Sequence, residues 1–308
     1  MKAVVMNSFG GPEVLQSAEM PVPTPATGEV LIKVHAAGVN PVDYKIRSGE
    51  FHRSETKLPA IPGRDVSGIV AAIGRGVFDF DVGDEVYAFL ASHSGGYADY
   101  AIAKVNEVAL KPVSLSHAEA AAVPLAATTA WQALFDHGKL RSGQRVLIHG
   151  AAGGVGHFAV QLAKTRGATV IATAGADDLI LVEDLGADQA IDYKNENFEE
   201  EIEPVDLVID LIAGNTQERS WSVLKAGGAL VSTLKEPSAT QASQHHARAK
   251  VFMAQPNRET LREIALLIDE GQIRVVLQKT YPLSEAAKAQ DELEHDHSVG
   301  KRVLVMAG

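Results

Sequence analysis

The sequence predicts an α/β protein in which a doubly wound parallel sheet is joined to an N-terminal, barrel-like β region. Three observations predict it. Short β-branched runs broken by glycine and proline fill the first 110 residues. From about residue 145, apolar strands alternate with helices, most of them closed by glycine. Strand signals then return after residue 271. Parallel neighbours need a crossover, usually helical, so regular alternation implies a parallel sheet. Several short strands with turn signals between them imply an irregular antiparallel barrel.

The elements follow in order. Val30–His35 alternates apolar and polar residues, as a half-buried strand does. Ser67–Gly74 reads as a buried strand closed by glycine, and Gly83-Asp84 is a turn before a strand that ends near Ala88. Ser116 with Glu119 three positions on is a capping box ahead of an alanine-rich stretch, and a second helix is expected over Thr128–Gly138. Strand Arg145–His149 leads to helix Val155–Arg166, stopped by Gly167. Strand Thr169–Thr173 leads to helix Asp178–Leu185, stopped by Gly186. Val205–Asp210 and Ala229–Ser232 are further strands. A helix over Arg258–Asp269 ends at Gly271; strands at Val275–Thr280 and Arg302–Met306 flank a helix over Ser284–Leu293.

Composition narrows the function classes. Hydrophobic residues make up 46% of the 308, enough for a large core. No apolar run reaches the roughly 18 residues of a membrane span, and the N-terminus turns polar at once, so a cytoplasmic protein is expected. The net charge of −11 repels phosphate backbones, which argues against nucleic-acid binding. The absence of cysteine removes disulfides, thiolate catalysis and thiolate zinc sites. The densest histidine groups, His245-His246 and His295 with His297, read as solvated polar residues.

The sharpest local signal is His149-Gly-Ala-Ala-Gly-Gly-Val-Gly156, between a strand and a helix. That is the context in which a glycine-rich loop binds a dinucleotide, and it identifies a Rossmann domain. Gly153 lets backbone approach a pyrophosphate, and Gly156 lets the helix pack closely. Ala151 stands where the first glycine of the usual pattern would be, and Gly154 and Val155 complete the loop. Amides at the helix start then face the phosphates. The expected end of the second strand, Thr173, carries no acid that would exclude a 2′-phosphate, so NADP(H) is allowed there.

Several further segments carry a resemblance: Met1-Lys-Ala-Val-Val, Ala37–Asp43, Pro62–Gly68, Val82–Val86, Gly95–Ala98, Pro124–Trp131, Gly150–Gly156, Leu185–Asp188, Gly227-Gly228 and Gly300-Lys301. In this order they resemble the medium-chain dehydrogenase/reductase superfamily and, within it, the zinc-free quinone oxidoreductase branch. The resemblance implies a barrel-like (GroES-like) catalytic domain from residues 1–120 and 271–308, and a Rossmann domain from 121–270. It also implies a homodimer, paired through the strand near Lys250–Met253. Zinc-using members bind the metal through a cysteine and a histidine–glutamate pair; the matching positions here are Asn40 and Arg64-Asp65, so catalysis without zinc is implied. Arg64-Asp65 is then expected to be a plain ion pair.

The same resemblance places Thr128 near the nicotinamide ribose, Phe252 beside the nicotinamide, and Tyr193 and Lys194 toward the adenosine end. NADPH is the expected cofactor, with NADH as the alternative. NADPH-using relatives often have a basic residue near the place Asp178 occupies, and Lys194 offers a compensating charge. Asn40 and Tyr44 are the expected catalytic residues, as hydrogen-bond or proton donors to a quinone or an α,β-unsaturated carbonyl. The alternatives are an NADH-preferring carbonyl reductase and a dinucleotide-binding sensor or structural protein with little turnover. The loop from Gly49 to Pro59 is expected to shape the pocket.

Overall fold

The computed structural model describes residues 1–51, 57–91 and 95–307. Of the expected pocket loop, residues 52–56 lie outside them. The strands are β1 (Lys2–Met6), β2 (Leu15–Glu19), β3 (Glu29–Val39), β4 (Asp65–Ile73), β5 (Glu85–Phe89), β6 (Tyr100–Lys104), β7 (Val108–Leu110), β8 (Arg145–His149), β9 (Thr169–Ala174), β10 (Gln189–Asp192), β11 (Val205–Asp210), β12 (Leu224–Ser232), β13 (Arg248–Val251), β14 (Leu277–Pro282) and β15 (Lys301–Val305). The α-helices are α1 (Pro41–Ser48), α2 (His117–Ala121), α3 (Pro124–Trp131), α4 (Gly156–Thr165), α5 (Leu179–Asp184), α6 (Phe198–Glu201), α7 (Gly214–Arg219), α8 (Ala239–Gln244), α9 (Arg258–Asp269) and α10 (Ala286–His295). No helix among the described residues is long and apolar enough to cross a membrane.

The chain forms two compact units, Met1–Thr128 with Gln255–Gly308, and Thr129–Ala254. Helix α9, expected with residues 121–270, belongs to the first. The Tyr87 hydroxyl donates to the Leu261 carbonyl (2.5 Å), and Asp269 accepts the Val113 and Ser114 amides (3.1 and 3.0 Å).

In the first unit a seven-stranded sheet runs β14-β15-β3-β4-β5-β7, with β6 also paired to β3. Strand β15 pairs antiparallel with the end of β3, setting Arg302 against Val39 and Val305 against Ala36. Val30, Ile32, Val34, Val66, Val70 and Leu304 are buried in its core. The second unit is a six-stranded sheet, β10-β9-β8-β11-β12-β13, parallel throughout. The strand order reverses between β8 and β11, and ligands of such sheets bind at that switch, beyond the strands' C-terminal ends.

Local chemistry explains most element ends. Ser116 and Glu119 form the expected capping box, with the Ser116 amide 2.9 Å from the Glu119 carboxylate. Gly167, at φ +71°, closes α4 by donating to the Lys164 carbonyl (2.9 Å). The helix expected over Thr128–Gly138 is instead α3 followed by a π-helical turn over Gln132–His137. There the Gly138 amide reaches back five residues to Ala133.

Candidate functional site

The glycine loop leaves β8 through Gly150, whose φ of +69° favours glycine. The Ala151 amide donates to the Thr173 carbonyl (3.0 Å), and the Gly153 amide to the Gly150 carbonyl (3.1 Å). Helix α4 starts without a side-chain cap. The first amides of a helix have no intrahelical acceptor, so those of Gly154, Val155 and Gly156 suit an anion. The glycines have separate jobs. A Cβ on Gly156 would lie 2.2 Å from the Gly150 carbonyl oxygen and 2.6 Å from the Ala151 Cα, so that position must stay bare for the loop to close. A Cβ on Gly153 would meet only the Gly150 carbonyl oxygen, at 3.3 Å. Its outer side is open to a ligand.

Beyond the loop, β9 ends at Ala174, one residue later than expected, and Gly175 follows. Thr173 is therefore inside the strand. Its hydroxyl lies 3.0 Å from His149 Nδ1, and His149 Nε2 lies 3.0 Å from the Ser220 hydroxyl. Ser220 donates to the Thr216 carbonyl (2.6 Å), so it accepts from Nε2–H, and Nδ1 accepts from Thr173. Burial holds the His149 imidazole down to about 4, so the ring stays neutral. Thr173 serves this interior chain, a partnership its sequence position did not reveal.

Neither Ala174 nor Gly175 places a carboxylate at the strand end. Asp178 lies buried nearby, 3.8 Å from where a Gly175 Cβ would sit, and does not cap α5. Tyr193 follows β10, donating its amide to the Ala174 carbonyl (3.2 Å), and exposes half its surface. Lys194 is exposed, its ammonium 5.8 Å from the Tyr193 ring centre. The Asp192 carboxylate holds this turn by accepting the Lys194 amide (3.1 Å) and the Asn195 side chain (2.6 Å). Phe252, just after β13, donates its amide to the Ser232 carbonyl (3.2 Å) and packs its ring 4.4 Å from that of His137. Thr128, on α3, is wholly buried, and among the described residues its hydroxyl has no hydrogen-bond partner.

The first unit holds a buried charge cluster. Asn40 precedes α1, and Asp43 reaches back to accept the Asn40 amide (2.8 Å). The Asn40 side-chain nitrogen donates to Asp65 Oδ2 (2.8 Å), while its oxygen accepts from the Lys301 ammonium. Lys301 also donates to the Val39 carbonyl (3.1 Å) and stands 3.8 Å from Asp65. Asp65 Oδ1 accepts the Leu125 amide (2.7 Å), and the Tyr97 hydroxyl donates to Asp43 (3.1 Å). Gly38 leaves room for this, since a Cβ there would lie 2.8 Å from Asp65 Oδ2. All of these polar side chains are at least nine-tenths buried. Burial pushes Asp65 up and Lys301 down, and their mutual attraction opposes both shifts. Burial, reinforced by the Asp65 charge, raises Asp43 to about 7.

Sequence reasoning paired Asp65 with Arg64. Arg64 does favour the ionised carboxylate, but the buried ammonium and Asn40 act on it more strongly. The sequence carried one faint signal for this role, a lysine beside the apolar run Val303–Val305. Tyr44 lies half-buried on α1, and burial, with Glu294 and Glu50, raises its phenol, so it remains a proton donor at neutral pH. Among the described residues, no group of three histidine, aspartate or glutamate side chains is placed to hold a metal.

Family models match two stretches of the chain: "Alcohol dehydrogenase GroES-like domain" at residues 26–113 and "Zinc-binding dehydrogenase" at residues 185–304. The chain is 35% identical to the quinone oxidoreductase of Rattus norvegicus over 324 residues, covering 99% of this chain and 98% of that one. It is 36% identical to the NADPH-dependent alkenal/one oxidoreductase, chloroplastic, of Arabidopsis thaliana, covering 99% of this chain and 79% of that one. The solved quinone oxidoreductase from Coxiella burnetii superposes with a TM-score of 0.92 at 38% identity, covering 100% of this chain and 99% of that one. With its Rossmann sheet, its GroES-like sheet completed by C-terminal strands, and these relatives along its whole length, the chain belongs to the quinone oxidoreductase-like branch of the medium-chain dehydrogenase/reductase superfamily.

Proposed function

We propose that the protein is an NADPH-dependent, zinc-independent reductase that transfers hydride to a quinone or an α,β-unsaturated carbonyl. The observation that carries this reading is the open face of Gly153 before the uncapped start of α4, which suits a pyrophosphate. The orphaned Thr128 hydroxyl fits a ribose or carboxamide partner. NADPH is favoured over NADH because Ala174 and Gly175 bring no acid to the strand end and Lys194 is exposed beside Tyr193. Phe252 would flank the nicotinamide. The donor set supports zinc independence: the chain has no cysteine, and the position that the family resemblance gives to the thiolate ligand is Asn40.

When bound, the dinucleotide supplies the hydride, two electrons and one proton. Hydride adds to the electron-poor carbon, the adjacent π pair moves to oxygen, and that oxygen takes one proton from a donor or water. The Asn40 amide and the Tyr44 phenol are the proposed hydrogen-bond donors to it, lowering the barrier by holding charge as it develops. We further propose a homodimer through β13, the edge strand of the parallel sheet. Light scattering behind size exclusion checks it, and a monomer at working concentration removes it.

Stopped-flow oxidation of NADPH and NADH against a panel of quinones and enones tests the reaction. The expected result is turnover with NADPH preferred. A tenfold preference for NADH overturns the cofactor assignment; tight NADPH binding without any turnover overturns the enzyme and leaves a sensor. Asn40→Ala is expected to lower turnover with little change in NADPH affinity. Wild-type turnover in that variant removes Asn40 from the chemistry.

A further inference from the structure

The Lys301 ammonium is nearly solvent-free, at 3% exposed, and lies within hydrogen-bond reach of the Asn40 side-chain oxygen. A buried ammonium is costly, and an ion pair alone does not explain keeping one, since apolar replacements of buried pairs are often neutral or stabilising. What Lys301 does here is directional. An ammonium only donates and a carboxylate only accepts, so Lys301 on one side and Asp65 on the other leave Asn40 a single amide orientation. Asp65 takes one of the two amide hydrogens, and among the described residues the other has no acceptor. A cation bound to an amide oxygen draws electron density from its nitrogen, which makes the remaining N–H a stronger donor.

We propose that Lys301 is a positioning residue of the reduction, fixing and polarising the Asn40 amide so that its remaining N–H stabilises negative charge on the acceptor oxygen. This rests on the reductase reading above. The ammonium thus supplies, through an amide, part of the electrostatic pull that a metal cation would supply directly. Lys301 must be charged to do so. It faces Asp65 on β4 and Asp43 on α1; the Arg64 guanidinium and the Tyr97 phenol act on those carboxyls. Burial lowers the ammonium from its ordinary 10.5, whereas burial raises the Tyr97 and Tyr44 phenols, so the shifts bring Lys301 down toward neutrality and carry the two phenols away from it.

The test is kcat with a saturating quinone, alongside the NADPH dissociation constant, across pH for wild type, Lys301→Met and Lys301→Gln. Lys301→Gln keeps a donor for Asn40 but not the charge. The expected result is a loss of kcat of about tenfold or more in Lys301→Met and a smaller loss in Lys301→Gln, with NADPH affinity unchanged within about twofold. Wild-type kcat is expected to fall on the alkaline side below lysine's ordinary range, and Lys301→Gln to lose that fall. If Lys301→Met does not fold, the pH profile of Lys301→Gln decides. Wild-type kcat in Lys301→Gln, or an alkaline fall unchanged by it, overturns the role of Lys301. Absence of quinone turnover in the wild-type enzyme overturns the reductase reading instead.

Discussion

The glycine loop of the parallel-sheet unit and the Asn40–Asp65–Lys301 cluster of the barrel-like unit deal with charge by opposite means. The loop is contiguous backbone, from Gly150 to Gly156, and offers amide dipoles with no ionised side chain. The cluster is made of side chains from three distant places in the chain, and it buries full charges. Dipoles at a helix start cost the empty fold little, because water can serve them until an anion arrives. Buried charges must be satisfied before any ligand comes. Damage to the loop should therefore appear in binding, and damage to the cluster in stability and turnover.

The severest test is Asp65→Leu. It strands the Lys301 ammonium in the interior, and a stability loss of about 3–5 kcal/mol is expected in urea unfolding. A loss below about 1 kcal/mol would mean that the cluster relaxes more freely than its burial implies. Gly153→Val is the mirror experiment. Its side chain would fill the place proposed for the pyrophosphate, so calorimetry should show NADPH affinity falling about 100-fold or more. Its melting temperature should stay near wild type, since a Cβ there meets only one carbonyl oxygen, at 3.3 Å. A collapse of both quantities would erase the distinction between the two regions.

Asp43→Asn sharpens the comparison through pH. Burial raises the Asp43 carboxyl from 3.8 to about 7. Between those values the native state binds more protons than the unfolded chain, so this group's stabilisation is greatest in acid and is lost as the pH rises through the interval. The variant should remove that slope, a difference on the order of 3 kcal/mol between pH 4 and 7. Unfolding curves whose difference from wild type is flat across the interval would return Asp43 to ordinary acidity. The smallest effect is expected for Lys194→Ala: NADPH affinity lower by roughly threefold to tenfold, with NADH affinity unchanged. An equal effect on both cofactors would take Lys194 away from the 2′-phosphate.

The loop was legible in the sequence because its information is local: a strand, a turn that needs glycine and a helix, all within Arg145–Thr165. The alternation around it announced the parallel sheet for the same reason, and Arg258–Asp269 came out as a helix at both ends. The unit to which that helix belongs did not, because the deciding bonds run from Tyr87 and Ser114, far away in sequence. Lys301 stood out only as part of the Gly300-Lys301 segment, and its role was hidden because it meets Asn40 across a separation of 261 residues, through a strand pairing that no local pattern encodes. Thr173 was misread on a smaller scale, as the end of β9, which is Ala174. Its end of the strand was visible, but its hydroxyl partner, His149, sits on the neighbouring strand.

Strand β15 lies between β14 and β3, against the stretch Ala36–Val39 that leads into Asn40. On a ribosome, residues 129–254 emerge before 301–305 do. A nascent chain can thus complete its parallel-sheet unit while the other unit still shows an unpaired strand edge and lacks its internal ammonium. Pairing of that edge, and delivery of the ammonium to Asn40, must therefore wait until residues 301–305 have been made.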